Sequence, residues 1–532
     1  MEFVAITSTE ARPSAITGAL IGLLAGGVAV GAGQLVAALF RPAAAPVIAV
    51  GNRLILLTPE SVKRWAIREF GTGDKHALLT GIYLGLAGCA VGVGLLAVRR
   101  LRLGLLGIGL LGLLGAYCAL TTAAHRPTDA VPSVFGALAA MYALDLLVSA
   151  AQEPAAAAQE PVAAAGPAPQ PADRAGSTRR GFLTAALAAA GAALVAGVGG
   201  KLLQGRRFNA EAARAKIVLP PAANAEPVAR SSFDLGKSGV PFQTPAGRFY
   251  RIDTALVVPQ LDPDSWRLRI HGKVRRELTV SYADLLARPL VERWITLTCV
   301  SNEVGGDLIG NALFRGVLLA DLLREAGVAA GADQLLASSS DGMTIGTPTA
   351  VVLDGRDAML AVGMNGQPLP IEHGFPVRMV VPGLYGYVSA CKWIVDLEAT
   401  TFADAQAYWV RGGWAQRGPI KLACRIDRPS GSQQVAVGTE IPVAGVAWDQ
   451  HVGVSRVEVQ VDNDPWQQAV LAPVPSVDTW RQWVWLWTPR TAGPHRLRVR
   501  AYDGSGRPQD ESIADPFPSG ATGLHTITVH AQ

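Results

Sequence analysis

Long unbroken apolar runs fill the first part of the chain, and short alternating ones fill the rest. No charged residue occurs between Arg12 and Arg41, and the stretch ITGALIGLLAGGVAVGAGQLVAALF exceeds the roughly 20 apolar residues that cross a bilayer. Similar runs at about 77–98, 103–124 and 130–150 predict three more spans, so residues 1–150 read as an all-α membrane domain of four transmembrane helices. The last run carries one acid, Asp145, read as a residue near the helix end reaching polar headgroups rather than as an intramembrane functional carboxylate.

Residues 151–176 are Ala/Pro/Gln-rich without apolar periodicity, which predicts an extended linker. Ser177-Thr178-Arg179-Arg180-Gly181-Phe182-Leu183 then precedes an apolar run to Gly200. Residues 177–200 thus resemble a twin-arginine export signal placed late in a chain, or a plain signal-anchor and fifth transmembrane helix; both send the downstream residues outward. The connection Arg99-Arg100-Leu101-Arg102 carries three positive charges and is expected to stay inside. Five spans then put the catalytic part on the extracytoplasmic side of the cell membrane. Loop 41–76, with six Lys/Arg against three acids, pulls the other way, but it is longer and mixed in sign.

After a tether at 201–240 the pattern is that of a soluble α+β domain over 241–417. RWITLTCV (293–300) places Ile295, Leu297 and Cys299 on one strand face, and RGVLLADLLREAG (315–327) has helical apolar spacing ending in glycine. From 418 to 532 only strand signals remain: Val457, Val459 and Val461 alternate, as do Trp483, Trp485 and Trp487, with DNDP, TAGP and DGSGRP as breaks. That is the pattern of an all-β sandwich of immunoglobulin type. Its apolar faces and tryptophans exceed what one small sandwich needs, so a homodimer through this domain is expected.

Composition agrees with a partly membrane-embedded chain: 532 residues, 50% hydrophobic and 17% charged, with a mean hydropathy of +0.27. The net charge of +5 is not a nucleic-acid signal. Residues 1–200 hold 14 Lys+Arg against 10 Asp+Glu, leaving 33 against 32 for the remainder, so the excess sits where cationic flanks set topology. Five cysteines without CxxC or regular spacing make neither a disulfide framework nor a zinc site.

The chain lacks a GxSxG elbow, a P-loop and a GxGxxG turn. His76 and His125 lie at span ends, but two such histidines are more often interfacial, and a haem is not expected. Cys299 stands out, in a Thr-rich strand end before Ser301-Asn302 and the pair Gly305-Gly306. Taken alone it reads as either a buried structural thiol or a reactive one. A second patch shifts the balance: His373-Gly374-Phe375-Pro376-Val377-Arg378, Pro382-Gly383-Leu384-Tyr385-Gly386 and Lys392-Trp393 combine cationic groups with glycines that free backbone donors. Such a set suits an anionic cofactor bearing a phosphate.

LTCVSN around Cys299, MNGQPLP (364–370), EHGFPVRMVVPG (372–383) and CKW (391–393), in that order and spacing, resemble the sulfite oxidase family of molybdopterin enzymes over about 244–532. The resemblance implies a single pterin dithiolene holding molybdenum, with Cys299 as the protein thiolate on the metal. His373, Arg378 and Lys392 would hold the pterin and its phosphate. Tyr250, Arg251, Asp253 and Thr254 occupy the first cofactor-contacting loop, and Ala390 a backbone contact near Lys392. The thiol of Cys391 is read as incidental.

Departures from the family pattern bear on the substrate. The family's loop arginine falls on Asp253 in an ungapped reading, the arginine after the metal-binding cysteine is replaced by Ser301-Asn302-Glu303-Val304, and Trp414 stands at the tyrosine position after Trp409-Val410-Arg411. Trp414 and Arg411 are therefore candidates for the substrate pocket, and a dianion such as sulfite is disfavoured unless Arg411 or Arg251 compensates. The resemblance implies a membrane-anchored molybdenum oxidoreductase that transfers an oxygen atom to or from a small sulfur- or nitrogen-containing substrate. No cytochrome domain is visible, so electron transfer would need a separate partner. The competing expectation is a non-catalytic surface or adhesion module that keeps the fold.

Overall fold

A computed structural model of the chain describes all residues except 1–12, 60–61, 63–64, 67–68, 71–73, 122–125, 153–170, 208, 227–235, 237 and 432. His125 and most of the 151–176 stretch therefore lie outside the described residues. The chain divides into two units, residues 1–209 with 254–257, and residues 210–253 with 258–532.

The first unit is helical: α1 (Ala15–Phe40), α2 (Pro46–Leu57), α3 (Asp74–Ala97), α4 (Leu101–Leu120), α5 (Val131–Gln152) and α6 (Pro171–Arg207). Among the described residues, five segments are long and apolar enough to cross a membrane: 15–40, 75–97, 101–120, 127–152 and 181–204. Large apolar side chains such as Leu110 and Leu113 remain exposed on them, the reverse of a helix that sheds water by packing alone. Small residues set the packing of α1 on α3. A Cβ at Gly22 would run into the Ala90 carbonyl, and one at Gly94 into that of Gly18, so the two backbones touch.

Two details differ from the sequence pattern. The segment read as loop 41–76 contains α2, whose Pro46 occupies the first turn, where its missing N–H is not needed. Helix α6 begins at Pro171, inside the stretch read as linker, because proline suits a helix start and the alanines after it have high helical propensity. Arg179 and Arg180 fall within this helix.

The second unit opens with a sheet ordered β1 (Asn224–Ala225), β4 (Val291–Thr298), β5 (Ile309–Leu318), β8 (Met359–Met364) and β10 (Arg378–Val380), with β9 (Gln367–Pro368) paired to β8. A second sheet is ordered β3 (Leu278–Ser281), β2 (Arg267–Gly272), β11 (Ile394–Thr400), β6 (Gln334–Ser339) and β7 (Thr344–Pro348). Arg315–Leu318, read as the start of a helix, completes β5; α7 (Leu319–Ala326) comes next and ends on Gly327 at φ +68°. The strand propensity of Val317 and its pairing with Leu360 win over the helical spacing.

Residues 423–531 form two further sheets, β12 (Ala423–Arg428), β14 (Ile441–Trp448), β18 (Arg481–Trp487), β17 (Val470–Leu471), and β13 (Gln434–Val435), β20 (Thr526–Ala531), β19 (Gly493–Asp503), β15 (Val454–Val461), β16 (Gln467–Gln468). Strand β14 is buried on both faces. Val443 and Ala447 point into the sandwich, whereas Ala444, Val446 and Trp448 join the core of the α+β domain together with Trp480. Part of the surplus apolar face that suggested a dimer is thus covered within the chain.

Candidate active site

Strand β4 carries Cys299 to the start of a turn closed by three short bonds. The Cys299 N–H donates to Leu308 O at 2.9 Å, Asn302 N–H to Cys299 O at 3.1 Å, and Leu308 N–H to Asn302 Oδ1 at 2.8 Å. Gly305 adopts φ +76°, and a Cβ there would collide with the His525 imidazole, so both conformation and space require glycine. Cys299 is buried. Burial raises its thiol pKa, with the Ser301 N–H and hydroxyl pulling the other way, so the metal-free side chain is a protonated thiol.

The second patch converges on the same region. Gly374, at φ +110°, lets the chain turn between Arg378 and Lys392, and a Cβ there would sit 2.9 Å from Arg378 Cβ. Arg378 is buried on β10; its Nη1 donates to His373 O at 3.2 Å, its guanidinium lies 5.8 Å from the Phe314 ring, and its Nε has no partner among the described residues. Burial lowers its pKa to about 10, still a cation at neutral pH. A buried guanidinium with an unanswered donor is costly unless an anion arrives.

His373 Nε2 lies 3.0 Å from Ala246 O, and since a carbonyl only accepts, that nitrogen carries the hydrogen. Burial and the nearby Arg378 charge lower its pKa to about 4, which leaves a neutral ring with Nδ1 as an acceptor. Lys392 Nζ donates to Asp253 Oδ2 at 2.7 Å and to Glu372 O at 3.1 Å, and sits 4.5 Å from the Trp393 ring centre. Burial lowers the Lys392 pKa to about 8 against the opposing pull of Asp253. Arg251 Nε joins the same Asp253 oxygen at 3.0 Å.

Tyr250 stacks on Phe249 with ring centres 5.3 Å apart. Burial raises its phenol pKa, with Cys299 adding to the shift and Arg378 opposing it. Gly386 leaves a gap bounded by Tyr250 Oη, Thr298 O and Ala390 Cβ, all 3.5–3.8 Å from where its Cβ would stand. Tyr250, Cys299, His373, Arg378, Ala390, Lys392, Asp253 and Arg251 thus gather around one locus. Thr254 groups with the helical unit instead. Cys391 is buried, and burial raises its thiol pKa.

The two substrate-pocket candidates have aromatic and backbone partners. Trp414 is buried among Tyr387, Trp409 and Phe517, with ring centres 6.0, 6.5 and 5.3 Å away. Arg411 is exposed and donates to Gln406 O at 3.3 Å. A shallow recess opens beside Thr298 and Asn302 and is bounded by Tyr385, Cys424 and Gln509; among the described residues Glu303 is the one formally charged side chain in its lining. The sequence pattern gave Tyr385 no role. Burial raises its pKa to about 12, with nearby Cys299 also raising it. Gln450, Arg425 and His525, which contact the Cys299 segment, were also missed, since nothing in their local sequence marks contacts made more than 100 residues away.

Residues 255–409 match the family model described as oxidoreductase molybdopterin binding domain, and residues 423–529 match a bacterial Ig domain. The first match contains Cys299, His373, Arg378 and Lys392; Tyr250–Thr254, Arg411 and Trp414 lie outside it. The chain is 30% identical to mitochondrial sulfite oxidase of Homo sapiens over 310 residues, covering 49% of this chain and 56% of that protein. It is 30% identical to sulfite oxidase of Gallus gallus over 326 residues, covering 51% and 69%. It is also 32% identical to the uncharacterized oxidoreductase YuiH of Bacillus subtilis (strain 168) over 157 residues, covering 30% and 76%. The chain thus spans about half the length of the human protein. With the cysteine turn, the buried Arg378 and the neutral His373 inside the matched segment, this chain belongs to the sulfite oxidase family of molybdopterin-dependent oxidoreductases.

Proposed function

We propose that the protein is a membrane-anchored molybdenum oxidoreductase that transfers an oxygen atom to or from a small sulfur- or nitrogen-containing substrate. The observation that carries this reading is the unpartnered Nε of buried Arg378, set in the same locus as the buried thiol of Cys299. The residues fit a phosphate-bearing pterin: Arg378 and Lys392 would supply charge, His373 would offer Nδ1 as an acceptor, and Gly386 leaves room between Tyr250 and Ala390. Cys299 would give up its proton on meeting the metal, because a thiolate ligand beside a cation offsets the cost of burial. When bound, the molybdenum cofactor supplies two-electron oxygen-atom-transfer chemistry.

Substrate binding falls to the recess beside Thr298. Its neutral hydroxyl, amide and phenol groups, with Glu303 as the charged member, favour an uncharged substrate over a sulfite dianion. Electrons would pass to or from a separate partner protein. The five apolar helices support anchoring in the cell membrane, and the Arg99–Arg102 cluster supports an extracytoplasmic catalytic part.

Metal analysis of purified full-length protein tests this reading, with molybdenum expected near one per chain. Cys299→Ser should remain folded yet lose turnover and the thiolate-to-metal absorption. A molybdenum-free wild type, or a Ser variant of undiminished activity, would favour the non-catalytic surface module instead.

A further inference from the structure

Strand β4 pairs with β5 along its whole length on one side, and on the other β1, among the described residues, pairs with Val291 and Glu292. The Trp294 N–H finds the Glu226 carboxylate at 2.8 Å. Beyond it, the edge that leads to Cys299 is closed by the immunoglobulin-like domain. There the Thr296 N–H donates to Asp478 O at 3.0 Å, and the Trp480 N–H donates to Thr296 Oγ1 at 2.7 Å. Gln450 Nε2 donates to Thr296 O at 3.0 Å and to Thr298 Oγ1, one residue before the cysteine, at 3.2 Å. Past the turn, Arg425 Nη1 donates to Gly306 O at 2.6 Å, and the His525 ring lies against Gly305. The Cys299 turn is held on both flanks by residues from one neighbouring domain.

Gln450 is 2% exposed, and its Oε1 has no partner among the described residues. A buried acceptor left unanswered costs stability, and a methionine would fill a similar volume without it. The side chain keeps that cost while both of its donor bonds go to the β4 edge beside the cysteine. Such local conflicts concentrate where position matters for function.

We propose that Gln450 and Arg425 are positioning residues for Cys299, so that the immunoglobulin-like domain sets where the metal-facing thiol sits. The proposal rests on Cys299 being the metal ligand. Ligating groups must be held to within about 0.5 Å, and loss of their outer hydrogen-bond partners weakens metal binding by about 10- to 100-fold.

Full-length Gln450→Met, Arg425→Met and Arg425→Lys would be compared with wild type, with exposed Gln468→Ala as control. In metal-free protein, alkylation of Cys299 by iodoacetamide, read by mass spectrometry of its peptide, should accelerate about tenfold in the two Met variants and less in Arg425→Lys. In loaded protein, the same two variants should retain less molybdenum and shift the thiolate-to-metal absorption, with melting within a few degrees of wild type. If Gln450→Met fails to fold, Arg425→Met, which loses the tie to Gly306 O together with the Asp427 ion pair, decides alongside Arg425→Lys, which keeps a cation beside Asp427. Unchanged alkylation and an unmoved absorption band in the folded variants would overturn the proposal, as would equal changes in Gln468→Ala. A wild type without molybdenum would sink the functional reading, while the alkylation rates would still report whether these residues hold the turn.

Discussion

Lys392 and Asp253 form a 2.7 Å ion pair in which the lysine side chain is 10% exposed and the aspartate 3%. The carboxylate stands where the family pattern expects a cation, and it also receives Arg251 at 3.0 Å. Arg378 adds a buried cation to the same locus, which suits a phosphate monoester. Asp253 therefore balances the site, and it keeps Lys392 protonated by opposing the burial that lowers its pKa.

Capture of the cofactor should weaken as pH rises through about 8, where Lys392 loses its proton. Asp253→Asn removes the charge that supports the protonated amine, so the loss should move to lower pH. Pterin retained after gel filtration below and above pH 8 checks both statements. Equal retention by wild type and Asp253→Asn at every pH would exclude this role for the pair.

Acid should destabilise the second unit. His373 and His525 each have a folded pKa lowered to about 4, by burial first and then by a neighbouring arginine. Between pH 6.5 and 4 the unfolded chain binds more protons than the folded one, so their contribution is present above pH 6.5 and declines as pH falls towards 4. Urea unfolding across that window should show the decline, and His373→Gln should flatten it.

Gly374→Ala should lose about 2 kcal/mol of stability, because a residue with a Cβ is strained at positive φ and here also presses on Arg378. Denaturant midpoints measure it. An unchanged midpoint would mean that the turn relaxes without moving the guanidinium.

A phosphatase reporter fused after Gln532 should be active, and one placed near Ala165 inactive. The reverse pattern would make the basic segment 41–76 the better guide to topology.

Much of this was readable because local physics agreed with the final fold. The alternation of Val457, Val459 and Val461 became β15, and that of the tryptophans from Trp483 became β18. The cofactor-type residues are close in sequence around His373 and around Lys392, so two short motifs exposed most of the locus. Asp253 illustrates the limit: its sequence position suggested a lost cation, and only the fold reveals the two bases that it bridges. Gln450 was beyond reach for a similar reason, since its partners lie 152 and 154 residues away. Arg315–Leu318 misled because helical spacing in a short window cannot foresee a strand partner at Met359–Gly363.

Strand β14 belongs to two cores at once, with Val443 and Ala447 on one side and Ala444, Val446 and Trp448 on the other. Melting either core uncovers the β14 residues that the other shares, so heating should give one cooperative calorimetric peak for the second unit. The same coupling restricts exchange between proteins, because a foreign immunoglobulin-like domain grafted here would also have to supply an outward face shaped for its neighbour.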